Sequence, residues 1–153
     1  MSAGKQHRIL VVDDEVAMRA LLTDLLEDQG YQVLTAADGE AALLCAIAEQ
    51  PDLILLDICM PVMDGMEACA KLRNNPVTRH IPVIFLTAFN TDERLEQAID
   101  TGANDFLGKP INSIELKVRI KAMLQTRHIP DESERLSEYI ETMKTLRAQA
   151  GKP

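Results

Sequence analysis

The chain has 153 residues, of which 46% are hydrophobic and 26% charged, a balance that is enough for a real core, matches an ordinary soluble protein and suits one domain with a short appendage. Its formal net charge of -8 and pI of about 4.8 give a field that repels DNA, RNA and anionic lipid. The acidic excess lies in residues 1–125, because residues 126–153 carry five acids and five bases; part of that excess suits a cation site.

The first element is Ile9-Leu10-Val11-Val12, a continuous apolar run that reads as a buried strand and stops at Asp13-Asp14-Glu15. Met18, Leu21, Leu22 and Leu25 then recur at helical spacing up to Gly30, a natural stop. Gln32 to Ala36 reads as a second strand, and Asp38-Gly39 turns the chain into an Ala-rich helix, Glu40 to Gln50, which Pro51-Asp52 breaks. Leu53-Ile54-Leu55-Leu56 is a third strand ending at Asp57, followed by a loop and a helix from Gly65 to about Asn74. Pro82 to Leu86 is a fourth strand, ending at Thr87. A fourth helix is expected over 91–101, with Leu95, Ala98 and Ile99 on one face and Gly102 as its stop. Asp105-Phe106-Leu107 is a short fifth strand, and Asn112 with Glu115 resembles a capping box for a fifth helix to about Gln125. After Pro130 one more helix is expected from Asp131 to Ala150, polar on most faces.

Alternation of β and α with strands this apolar calls for a parallel sheet between helix layers, and right-handed crossovers make it a doubly wound α/β domain. In such sheets the functional crevice lies beyond the carboxyl ends of the strands. Those ends carry Asp13, Asp14, Asp57, Thr87 and Lys109. Singly, each has an ordinary explanation as a helix cap, a strand residue or a solvated charge. Together they place three acids at one edge, which repel one another unless a cation joins them. Mg²⁺ takes such oxygen ligands, and a hydroxyl and an ammonium beside it suit phosphoryl transfer. The three histidines share no zinc-type spacing, and Cys45, Cys59 and Cys69 form no CxxC pair, so packed, reduced thiols in a cytosolic chain are expected. No secretory signal and no membrane-spanning run is read from the sequence.

The stretches ILVVDDE (9–15), LLDICMPVMDG (55–65), PVIFLTA (82–88) and GANDFLGKP (102–110) closely resemble the receiver domain of bacterial two-component response regulators, the CheY-like family, over about residues 8–125. The resemblance implies a flavodoxin-like five-stranded sheet of order 2-1-3-4-5; residues 126–153 lie beyond it, and the helix read there makes them a helical extension or linker. It also implies that Asp57 is the phosphoacceptor for a sensor histidine kinase or phosphotransfer protein. Asp14 looks like a direct Mg²⁺ ligand, Asp13 one acting mainly through water, and the Cys59 backbone carbonyl a third. Thr87 resembles the switch hydroxyl, Ala88 the small residue whose backbone approaches the phosphoryl group, and Lys109 its counter-charge, aimed by a cis Lys109–Pro110 peptide. Phe106 resembles the switch aromatic, here without a hydroxyl, so an output needing a hydrogen bond from that ring is not expected. Cys59 and Phe89 occupy positions that tune dephosphorylation; neither is acidic or an amide, which implies a long-lived phosphoryl group. The expected output surface is that of the fourth helix, fifth strand and fifth helix.

In the tail, Leu136, Ile140 and Met143 follow heptad spacing, with Ser133 and Arg147 at the flanking seam positions. Two readings stand: a solvated helix lying back on the domain, or a linker that dimerises or leads to an effector, in that family often a cyclic-dinucleotide enzyme. The tail is too short and too neutral for a winged-helix DNA reader. Three rivals compete for the main domain. A haloacid dehalogenase-type phosphatase would want a second acid at position 59, which is Cys59. A nucleotide or flavin module would want a phosphate loop after the first strand, where Asp13-Asp14-Glu15 stands. A pseudo-receiver would not be expected to keep Asp57, Thr87 and Lys109.

Overall fold

The apolar runs become five parallel strands: β1 (Arg8–Val12), β2 (Gln32–Ala36), β3 (Leu53–Asp57), β4 (Val83–Thr87) and β5 (Asp105–Gly108). Their order is β2-β1-β3-β4-β5, the doubly wound arrangement expected. The computed structural model describes residues 6–88, 96–97 and 100–150. These fall into two compact units, one ending at Lys109 and the other beginning at Pro110.

In the first unit, α1 (Val16–Asp28), α2 (Gly39–Glu49) and α3 (Gly65–Arg73) follow the first three strands. Side chains alternate between the faces of a strand, so Leu10, Val12, Ile54, Leu56, Val83 and Phe85 share one face. They are buried with Ala42 and Ala46 of α2 and with Ala68, Cys69 and Leu72 of α3. The alternate residues Ile9, Val11, Leu53 and Leu55 are equally buried, and α1 contributes Leu22 and Leu26. The central strands are therefore dry on both sides, which is why they read as unbroken apolar runs.

Helix ends follow local chemistry. Asp38 and Asp64 cap α2 and α3 by accepting from the amides of Ala41 and Glu67. Gly30, at φ +90, closes α1, and its amide donates to the Glu27 carbonyl. The start of α1 departs from the rule: Glu15 makes no side-chain cap bond, and the first turn carries no acid. Of the helix expected over 91–101, Glu96, Gln97 and Asp100 are helical; Leu95, Ala98 and Ile99 lie outside the described residues, as does Phe89.

The second unit is a pair of helices packed on each other, α4 (Ser113–Thr126) and α5 (Glu132–Ala150). Asn112 caps α4 by accepting from the amides of Ile114 and Glu115. The other half of the expected capping box is replaced: the Glu115 carboxylate is gripped by Arg147 of α5 through two bonds of 2.7 and 2.8 Å. Leu136 and Ile140, read as a seam, are 55% and 41% exposed, while Tyr139 is buried. Among the described residues no helix is long and apolar enough to cross a membrane.

Candidate functional site

β1 and β3 are neighbours in register, Val12 beside Leu56, so the residues that end them emerge side by side. Asp13 is fully buried, and each of its polar groups is engaged. Its amide donates to the Ala36 carbonyl, and its carbonyl accepts from Arg19. Its carboxylate accepts from the Glu15 amide at 2.9 Å and from the Lys109 ammonium at 3.1 Å. Asp57 is 3% exposed. Its Oδ1 accepts from the Cys59 amide at 3.3 Å and lies 3.4 Å from Lys109 Nζ. Asp14 is exposed, yet ligand oxygens of Asp13, Asp14 and Asp57 lie within 4.8 Å of one another.

The hydroxyl and the ammonium come from the next two strands. Leu86 pairs with Asp57, which sets Thr87 one residue beyond it, and Thr87 pairs with Gly108. Thr87 is 1% exposed, and its carbonyl accepts from the Lys109 amide at 2.7 Å. That bond anchors the backbone from which the lysine reaches back to β1 and β3. Ala88 follows on the surface, the Cys59 side chain is exposed, and Phe106 is partly buried against the core.

Burial, and then the charge of Asp13, push the Asp57 carboxyl up to about 6, against the opposing pull of Lys109 and the Cys59 amide. Burial alone would lower the Lys109 ammonium; its hydrogen bond to Asp13 and the charge of Asp57 more than offset that, and it titrates above its ordinary value. Among the described residues the Lys109 ammonium pairs with two of the three clustered carboxylates, those of buried Asp13 and Asp57. That deficit of positive charge among clustered carboxylate oxygens fits a hard divalent cation such as Mg²⁺.

Sequence reading did not single out two residues that build this site. A Cβ on Gly65 would collide with the Asp57 carbonyl and come within 2.8 Å of the Ile58 Cα, so only glycine lets α3 start this close beneath the acid. The Asp-Gly pair at 64–65 carried that signal, but it reads equally as a plain helix start. Arg19 reaches back six residues to the Asp13 carbonyl at 2.7 Å, a contact that leaves no periodic mark.

The response regulator receiver domain model matches residues 9–121. The chain belongs to that family. As a receiver it is a phosphoacceptor signalling domain rather than a conventional enzyme, and its acidic cluster stands at the strand ends of a CheY-like fold. It is 45% identical to response regulator PleD of Caulobacter vibrioides over 125 residues, 82% of this chain and 28% of that protein. Its fold matches the chemotaxis protein CheY4 of Vibrio cholerae, with TM-score 0.73 and 33% identity over 76% of this chain and 98% of that one. It also matches the receiver domain of sensor histidine kinase PA1611 from Pseudomonas aeruginosa PAO1, a structure with magnesium coordinated in its active-site cleft. There the TM-score is 0.74 and the identity 31%, over 79% of this chain and 99% of that one. The receiver spans between about a quarter and a half of the length of the curated relatives it matches.

Proposed function

We propose that this receiver, extending over residues 8–125, accepts a phosphoryl group on Asp57 from a phosphohistidine of a sensor kinase or phosphotransfer protein. The observation that carries the reading is the convergence of buried Asp57 with Asp13, Asp14 and Lys109. An Asp57 oxygen attacks phosphorus; the P–N bond breaks as the O–P bond forms, and the imidazole leaves with the electron pair. A carboxylate is a weak nucleophile, so the charge on the donor must be neutralised first. Lys109 supplies one charge and exchanges its carboxylate contact for a phosphoryl oxygen. Asp14, Asp57, the Cys59 carbonyl and, mainly through water, Asp13 would hold Mg²⁺, which supplies Lewis-acid neutralisation of the phosphoryl oxygens.

Thr87 then turns its hydroxyl toward the new group, whose approach small Ala88 leaves open, and Phe106 follows. The surface read by an output partner changes with them. The covalent group can shift this balance only by favouring one of two states. The roles of Thr87, Phe106 and Lys109, with a cis Lys109–Pro110 peptide, follow from the family pattern. A homodimer, or an effector reached through residues 126–153, would be the output. The absence of an acid or amide at Cys59 supports a slow loss of the phosphoryl group, which fails as a reading if the isolated phosphoprotein hydrolyses rapidly.

The direct test is incubation with acetyl phosphate and Mg²⁺, read by intact mass. One phosphoryl group per chain is expected, absent in Asp57→Asn and absent in chelator. Incorporation that persists in Asp57→Asn would sink the assignment.

A further inference from the structure

We infer that Arg19 is a positioning residue for the divalent-cation site, gripping the peptide that joins Asp13 to Asp14. The inference rests on the proposed reading of the acidic cluster as a cation site.

Three observations converge on Arg19. The first is a local anomaly. Helices α2, α3 and α4 each begin with a side-chain cap, from Asp38, Asp64 or Asn112, and carry an acid in the first turn. α1 has neither. Its second turn instead holds a cation, Arg19, close to the end of the helix that disfavours positive charge. A residue that breaks the local rule asks for compensation elsewhere. The second observation supplies it: the guanidinium turns back across the helix start and donates to the Asp13 carbonyl at 2.7 Å. The Arg19 backbone is itself fixed, its amide donating to the Glu15 carbonyl and its carbonyl accepting from the Thr23 hydroxyl.

The third observation is what that carbonyl belongs to. Asp13 is tied down at its amide and at both carboxylate oxygens by Ala36, Glu15 and Lys109. Asp14 is exposed, so the direction of its carboxylate depends on the peptide before it. Arg19 holds the oxygen of that peptide. Fixing it sets the spacing of two of the three acids.

A positioning role and a charge role predict opposite signs. If Arg19 acted only through its charge, removing it would relieve repulsion and tighten cation binding. If it positions the turn, removing it loosens the acids and weakens binding, by about 10-fold for loss of an outer-shell partner.

The test is Mn²⁺ binding to the full chain, followed by the electron paramagnetic resonance of the free ion, in wild type, Arg19→Met, Arg19→Lys and Asp13→Asn. Unfolding in chelator, run in parallel, restricts the comparison to folded protein. Weaker binding by about 10-fold in Arg19→Met, with partial recovery in Arg19→Lys, is expected. If wild type binds, Asp13→Asn does not, and Arg19→Met binds as tightly as wild type or tighter, the inference on Arg19 is overturned and the site reading stands. If Arg19→Met does not fold, the same comparison with Arg19→Lys decides, and unchanged affinity there overturns it. Binding that ignores Asp13→Asn overturns both.

Discussion

Asp57 is an acid kept out of water beside another acid, and two consequences follow from its carboxyl being pushed up to about 6. A group whose native pKa exceeds its unfolded value binds more protons when folded, so stability falls as pH rises. Without divalent cation, urea unfolding should show stability declining from the ordinary carboxylate range up to about pH 6, and Asp57→Asn should flatten that slope. Cation binding needs the carboxylate, so Mn²⁺ affinity should fall as pH drops through about 6. Gly65→Ala forces a methyl into the Asp57 and Ile58 backbone and should cost roughly 1–3 kcal/mol in urea unfolding, as overpacking typically does. At this scale the placement of Asp57, Thr87 and Lys109 at one edge was legible, because each stands at or just beyond the end of a strand that the sequence marks clearly. Gly65 and Arg19 were not, since close approach to a backbone and a grip on a carbonyl are properties of the folded chain.

At the scale of elements, strands were easier to read than helix faces. A strand buried on both sides announces itself by composition alone, as Ile9 to Val12 and Leu53 to Leu56 do. A helix announces a face only if its apolar residues are the ones that pack. In α5 they are not: Leu136 and Ile140 stay exposed, and Tyr139 is the residue buried. The double variant Leu136→Glu/Ile140→Glu should therefore keep its stability within about 0.5 kcal/mol. Sedimentation should show it losing any self-association that runs through this helix. The Arg147–Glu115 pair is bidentate but largely solvated, so Arg147→Ala should cost less than about 1 kcal/mol. Amide exchange should register the change as faster exchange in the last turns of α5.

For the whole molecule, the decisive feature is an order of strands that gathers residues from distant parts of the chain. If the covalent group drives self-association, light scattering with Mg²⁺ and beryllium fluoride should report a monomer becoming a dimer in wild type and no change in Asp57→Ala. An unchanged mass in both would place the output in a separate partner or in a dimer already formed through the tail. The fold class was legible because five β–α repeats and four motifs agree; the helix predicted over 91–101 lies mostly outside the described residues.

The ion pair between Lys109 and Asp13 joins residues 96 positions apart, across nearly the full span of the first unit. Closing so long a loop is entropically late, because the intervening strands must already be in place before the contact returns any free energy. The ammonium therefore arrives at the carboxylates only when β5 has joined the sheet. A refolding chain should regain its secondary structure before its capacity to react with acetyl phosphate. On that ordering a partly folded chain, however compact, would not accept the phosphoryl group.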